Sequence, residues 1–374
     1  MIRYQPLSDF LTEYTLRNDN NQYKPVAVGR YGIRTRDSIY TKELAKDYSK
    51  NKVIYQDTLT VGMGSVQIDI GILTEDIRYS VSPAYHTYQI RNINPAYLRY
   101  CLECRNQDMF SRFVKRGSRQ GKSIDLKRWL TYEIPVFDER KQAEIVAVLD
   151  RISTQVANRQ EQLELFEQLV KSRFIELFES KSWEPVRVDS IMFNMRNGVS
   201  PSNVGNHPAK VLTLSAITQG DFDPNSWKDG MFETEPPIEK RVTASDFYMC
   251  RGNGNKNLVG AGVYSKENRY DLVFPDTAIA ATVDLQRVCL PYLFHAWKRP
   301  SVRDQIEACA RTTNGTYKIN QGVISNIELF LPPIDLQEQF AAFVEQTDKS
   351  KLAVQKALDE LEILKKSLMQ QYFG

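Results

Sequence analysis

The chain has 374 residues, 42% of them apolar, with 49 Lys and Arg against 46 Asp and Glu for a formal net charge of +3. That is enough apolar residue for two or three domains with real cores, and the near balance of charge means that any surface for a polyanion is local. Five scattered cysteines (Cys101, Cys104, Cys250, Cys289, Cys309) exclude a disulfide framework. No apolar run approaches membrane-span length and the first ten residues mix Arg, Gln, Ser and Asp, so the expectation is a soluble cytoplasmic protein without a membrane partner.

Residues 1–137 read as a first globular unit. Pro25-Val26-Ala27-Val28 and Lys52-Val53-Ile54-Tyr55 have the character of short strands, Gly62, Gly64 and Gly71 punctuate a hairpin-rich stretch running to Leu73, and Ser80 to Ile90 reads as another extended segment. Asn94-Pro95 starts a helix: Asn caps it, Pro takes the first turn, and Tyr97, Leu98, Cys101, Leu102 and Phe110 supply its apolar side. A loop from Gly117 to Lys122 follows, then a final strand approaching Pro135.

Residues 138–180 change to a single long helix. Ile145, Leu149, Ile152, Val156, Leu163, Phe166, Val170 and Leu177 alternate spacings of four and three, interrupted by Arg159 and Arg173, and no Gly or Pro occurs before Pro185. At about 1.5 Å per residue this is a rod of about 60 Å.

Residues 181–334 echo the first unit. Val211-Leu212-Thr213-Leu214 stands for the early strand, Phe247-Tyr248-Met249-Cys250 precedes a glycine-rich run from Gly252 to Gly262, and Pro291-Tyr292-Leu293-Phe294 opens the helix that Pro95-Ala96-Tyr97-Leu98 opens before. Residues 335–374 repeat the rod, with Phe340, Val344, Val354, Leu358, Leu361, Leu368 and Tyr372 on the seam and Thr347, Lys351 and Lys365 interrupting it. Ile134-Pro135-Val136-Phe137-Asp138 with Gln142 matches Leu331-Pro332-Pro333-Ile334-Asp335 with Gln339 at an offset of 197, whereas Leu163, Phe166, Lys171-Ser172 and Phe178 match Leu358, Leu361, Lys366-Ser367 and Phe373 at 195. The second rod is therefore expected to be two residues shorter. A lone amphipathic rod cannot bury its stripe, so the economical solution pairs the two rods, antiparallel.

This order resembles the specificity subunit of type I restriction-modification enzymes: a variable globular domain, a Leu-Pro-Pro-hydrophobic-x-x-x-Gln signature leading into a long helix, then the same again. The resemblance covers the whole chain and is strongest at Leu331-Pro332-Pro333-Ile334-Asp335-Leu336-Gln337-Glu338-Gln339; the first copy departs at Val136 and Lys141. It implies an α+β fold with two tandem mixed α/β target-recognition domains, each followed by a long helix, the two helices pairing as an antiparallel coiled coil. It also implies a non-catalytic subunit that recognises a bipartite site on double-stranded DNA. Two modification (methyltransferase) subunits and ATP-dependent restriction subunits would be its partners, carrying S-adenosylmethionine, ATP and Mg, with no cofactor in this chain. The alternatives are a DNA methyltransferase with its own catalytic site and a coiled-coil scaffold without DNA binding.

Several motifs suggest enzymes but read as structure. Asn94-Pro95-Ala96-Tyr97 is one residue from the Asn-Pro-Pro-Tyr loop of amino-methyltransferases, yet Leu290-Pro291-Tyr292-Leu293 stands at the same place, so Pro95 is a helix-start residue of the repeat. Gly117-Ser118-Arg119-Gln120-Gly121-Lys122-Ser123 is one residue short of a P-loop and follows a helix where the motif needs a strand. Cys101 and Cys104 have metal-ligand spacing but no second pair, and His86, His207 and His295 lack a nucleophile context.

Local charge is the remaining signal. Arg105, Arg112, Lys115, Arg116, Arg119, Lys122, Lys127 and Arg128 face only Asp108 and Asp125 in the same stretch, and such a helix and loop suits a phosphate backbone. In the second unit Arg299, Arg303, Arg311 and Lys318 occupy comparable places beside Thr312, Thr313 and Asn314. Arg30, Arg34 and Arg36, and Arg251, Asn253, Asn255 and Lys256, are further loop candidates, because Arg to guanine and Asn to adenine are the pairings that groove geometry favours.

Overall fold

The strand that enters each unit pairs with the strand that leaves it. The computed structural model describes residues 2–30, 32–39, 47–117, 121–202, 204–313 and 315–374. Contacts divide them into two units, Met1–Gln162 with Val354–Gly374, and Leu163–Ala353.

In the first unit Arg3–Pro6 runs antiparallel to Glu133–Val136. The central sheet is antiparallel in the order Leu11–Glu13, His86–Ile90, Thr58–Met63, Ile68–Leu73. Thr58 to Gly62 are buried on both faces, so this strand carries no charged side chain, only Leu59 and Val61 on one face and Thr58, Thr60 and Gly62 on the other. The helix Pro95–Phe113 covers the sheet with Tyr97, Leu98, Cys101, Leu102, Met109 and Phe113. Asn106 fixes its height: the side chain accepts from the Ile68 N–H at 3.0 Å and donates to the Ile68 carbonyl at 2.9 Å, occupying the edge strand's backbone. Two short pairs, Val26–Gly29 with Gly32–Thr35 and Lys52–Ile54 with Tyr79–Val81, enclose a smaller core of Val26, Val28, Ile54, Leu73 and Val81. Ile145 and Leu149 of the first rod, Glu139–Phe174, and Met369 and Phe373 of the second, Ile334–Phe373, complete the main core. Here the start of one rod packs with the end of the other.

The second unit repeats this plan. Pro185–Arg187 pairs with Glu328–Phe330, and the central sheet runs Met192–Asn197, Ala278–Val283, Asp246–Cys250, Gly262–Tyr264 with every pairing antiparallel, the same order and senses as before. A second four-stranded sheet is added, in the order Trp227–Phe232, His207–Leu212, Arg269–Val273, Arg241–Val242. The cover helix is in two pieces, Leu290–Trp297 and Pro300–Cys309, because Pro300 brings no N–H and its ring disfavours a helical Arg299. Val170, Phe174 and Phe178 of the first rod pack with Phe340 and Val344 of the second and with Tyr292. Adding 195 to Ile145 and Leu149 gives Phe340 and Val344, and subtracting it from Met369 and Phe373 gives Phe174 and Phe178, so the two units bury the same four rod positions.

Three expectations are corrected. From the start of the cover helix through the rods the offset is 195: Gln142 bonds the N–H of Asn94, and its counterpart bonding Cys289 is Gln337, not Gln339. The match at 197 aligned Pro135 with Pro332, a likeness of side chains without likeness of position, and the second rod is not two residues shorter. Ser80 to Ile90 is two strands, Tyr79–Val81 and His86–Ile90, with different partners. The expected loop from Gly117 to Lys122 belongs to a β-hairpin, Val114–Gly117 with Gly121–Ile124.

Candidate nucleic-acid interface

Each cover helix leads straight into a hairpin, and both hairpins carry basic residues on each of their strands. In the first unit the register sets Lys115 opposite Ser123 and Arg116 opposite Lys122. In the second, Arg311–Thr313 pairs with Thr316–Lys318, setting Arg311 opposite Lys318 and Thr312 opposite Tyr317. The tight turn needs Gly315, whose φ of 76° lies in the left-handed region. Arg116 and Arg311 are again 195 residues apart, so an Arg directly opposite a Lys is part of the repeat.

The second hairpin is the inner part of a three-stranded sheet in which Gly252–Asn253 pairs with Thr316–Lys318. This joins two groups of expected site residues, the Arg251 to Lys256 loop and the Arg311 to Lys318 hairpin. Asn253, Tyr317 and Thr312 align as one cross-strand row, and Gly252, Lys318 and Arg311 as the next. A Cβ on Gly252 would stand 3.2 Å from Lys318 Cγ, so the bare glycine lets the lysine stem lie across the sheet. Tyr317 is half-buried against the core, which leaves Arg311 and Lys318 on the open side. Asn253 and Asn255 shape the loop, their Oδ1 atoms accepting the N–H groups of Asn255 at 2.8 Å and Asn257 at 3.1 Å. Arg251 donates to the carbonyl of Asp276 at 3.2 Å, and Lys256 sits in a single turn, Lys256–Leu258.

The charges differ in how they are held. Arg112 pairs with Asp108 at 2.8 Å and Lys115 with Asp125 at 2.7 Å. The bond from Lys115 holds the Asp125 carboxyl below its usual range. Lys122 donates to the Ser65 carbonyl and lies 5.4 Å over the Phe110 ring. Arg303 donates to the carbonyls of Val259 at 3.0 Å and Asn257 at 3.1 Å, and Arg299 pairs with Glu179 at 2.6 Å, so both brace the fold. Arg311 and Lys318 are exposed, and among the described residues no ion pair holds either. Arg30 and Arg34 lie on the separate hairpin at Val26 to Thr35, with Arg36 just after it, its guanidinium 5.2 Å over the Tyr48 ring. Arg119 and Asn314 lie outside the described residues, and Arg116 and Thr313 are placed by their backbone alone.

The enzyme-like motifs are occupied by structural work. Asn94 Oδ1 accepts the N–H groups of Ala96 and Tyr97 at 2.9 and 3.1 Å as a helix cap, and the Tyr97 hydroxyl donates to the Pro135 carbonyl at 2.8 Å. The P-loop-like run spans a hairpin, not a strand leading to a helix. Cys101 is buried in the cover helix, where desolvation pushes its thiol up to about 12. Among the described residues no group of three or more His, Cys, Asp or Glu is gathered as for a metal, and no helix is long and apolar enough to cross a membrane. Sequence reasoning missed Tyr317, Gly252 and Gln337. The polar–apolar alternation of Thr316-Tyr317-Lys318 was the one signal for the first of these.

No family model matches the chain. A curated relative, the Type I restriction enzyme EcoKI specificity subunit of Escherichia coli (strain K12), is 28% identical over 201 residues, 51% of this chain and 42% of that protein, so the chain matches less than half the relative's length. Among solved structures, the type I restriction-modification S subunit from M. genitalium superposes with a TM-score of 0.59 at 12% identity, covering 100% of this chain and 96% of that one. A chain from a structure describing assembly and conformational transition of the type I R-M system gives 0.58 at 15% identity, covering 99% and 97%. The curated relative and the M. genitalium chain are type I specificity subunits, and the two structural neighbours share the fold of this chain.

Proposed function

We propose that this chain is the DNA-specificity subunit of a type I restriction-modification complex and is itself non-catalytic. Each globular part reads one half of a bipartite site on double-stranded DNA, the two rods pair antiparallel as a spacer, and modification and restriction subunits supply S-adenosylmethionine, ATP and Mg chemistry. The observation that carries the reading is the repeated hairpin with Arg opposite Lys. Like charges directly opposed across strands destabilise a free protein. A duplex backbone turns that liability into counterion release, and a β-ribbon fits the major groove. The kinship of the chain supports the same reading.

The test is an exchange of residues 1–137 for the corresponding part of a relative with another site, followed by mapping of methylated DNA from the assembled complex. One half-site is expected to change and the other to persist. A change in both, or no bipartite site in the parent, would overturn the proposal.

A further inference from the structure

Each rod begins with a buried glutamine that uses both ends of its amide. Gln142 Oε1 accepts the backbone N–H of Asn94, the cap of the cover helix, at 2.9 Å, and its Nε2 donates to the Phe137 carbonyl at 2.8 Å. Gln337 Oε1 accepts the N–H of Cys289 at 2.8 Å, and its Nε2 donates to the carbonyls of Pro332 at 2.7 Å and Arg287 at 3.1 Å. The two side chains are 5% and 0% exposed. A backbone donor on one side and a carbonyl on the other admit one amide orientation and one residue type: Glu would set a carboxylate against a carbonyl, and an apolar side chain would leave both groups unpaired. Beside each glutamine a second tie holds the cover helix to the strand that leads into the rod, from the Tyr97 hydroxyl to the Pro135 carbonyl and from the Tyr292 hydroxyl to the Phe330 carbonyl. Every counterpart stands 195 residues on.

From this we infer that Gln142 and Gln337 are positioning residues: they fix the angle between each DNA reader and the rod it feeds, and so the number of base pairs allowed between half-sites. The inference rests on the two-reader function proposed above. Apolar contacts at the joint tolerate sliding, whereas two opposed hydrogen bonds on one short side chain hold direction as well as distance. The angle matters because rods are levers. A tilt of about 5° over a helix of about 54 Å displaces its end by about 5 Å, more than the roughly 3.4 Å rise of one base pair.

The test uses the full chain assembled with its modification subunits, in the parent and in Gln142→Met and Gln337→Met, which keep volume and remove the amide's two bonds in the first case and three in the second. Methylated sites are mapped, and amide exchange is followed at Asn94 and Cys289. The expected result is exchange faster by about tenfold, the scale of one lost buried hydrogen bond, with parental half-site sequences now accepted at gaps one base pair longer or shorter as well. Faster exchange with the parental gap unchanged would overturn this inference alone, as would altered half-site sequences. A parent without a bipartite site would overturn the proposed function and this inference together. Should the methionine variants not fold, Tyr97→Phe and Tyr292→Phe loosen the same joints, and an unchanged gap in both overturns the inference equally.

Discussion

Arg311 and Lys318 show how a side chain becomes informative by what it lacks. Placed opposite each other without a carboxylate, they cost the free protein stability, which on the proposed function a phosphate backbone would return. Lys318→Glu is therefore expected to raise the melting temperature of the free chain, by the equivalent of about 0.2–1 kcal/mol, while weakening DNA binding. Arg311→Ala and Lys318→Ala should each flatten the log–log salt dependence of binding by about 0.9; an unchanged slope would make the pair a solvated basic surface. His295 makes a different residue-scale case. It is packed among Phe174, Phe294 and Phe340, and desolvation first, then Lys298 and Lys351, depress its pKa to about 4 against a partial counterweight from Asp348. Because the unfolded chain takes up this proton near pH 6.5 and the folded chain only near 4, the contribution is full above about 6.5 and is lost as pH falls between those values. The loss is at most about 3 kcal/mol. Denaturation of the wild type and of His295→Phe at pH 7 and pH 5 should show a smaller difference in the variant.

At the scale of elements, the two cover helices form a built-in comparison of helix starts. Asn94 caps the first with two bonds, whereas Cys289 in the same position contributes no side-chain bond. Asn94→Ala should cost about 1 kcal/mol of first-unit stability. Cys289→Ser should gain a few tenths to about 1 kcal/mol in the second, read by chemical denaturation; a loss there would mean that the thiol's packing outweighs the cap. Local chemistry of this kind was legible in the sequence, as were the rods and the hairpin from Thr58 to Leu73. The pairing of Gly252–Asn253 with Thr316–Lys318 was not, because strand partners 64 and 66 residues apart leave no periodic trace. Gln337 was hidden for another reason. The eye aligned prolines and took Gln339, but a buried hydrogen bond selects the residue whose amide reaches the Cys289 N–H. Of the expected site residues, the Arg251 to Lys256 and Arg311 to Lys318 groups proved to share one sheet although nothing in their spacing says so.

At the scale of the whole molecule the duplication keeps its sheet order, and from the helix start through the joint and the rod packing it holds at one offset of 195. The copies share a framework while their added parts differ, the second carrying an extra sheet between His207 and Val273. The division of the chain is less symmetric than its repeat. Leu163–Ala353 is one uninterrupted segment, whereas the other unit needs Val354–Gly374 to return to Met1–Gln162.

That return has a consequence for the order of events during synthesis. Domains ordinarily mature from the N-terminus as the chain emerges, but Phe373, fully buried with its ring 5.2 Å from that of Tyr97, and Met369 reach the first core only after residues 163–353 have been made. The unit begun first is completed last, after the continuous one. A chain ending at Ala353 should therefore keep protease resistance and amide protection in residues 163–353 while losing them across residues 94–162, far away in sequence. Equal loss in both regions would show that the second unit is not an autonomous folding segment. Residues 1–162 are thus expected to wait for residues 354–374 before their core can close.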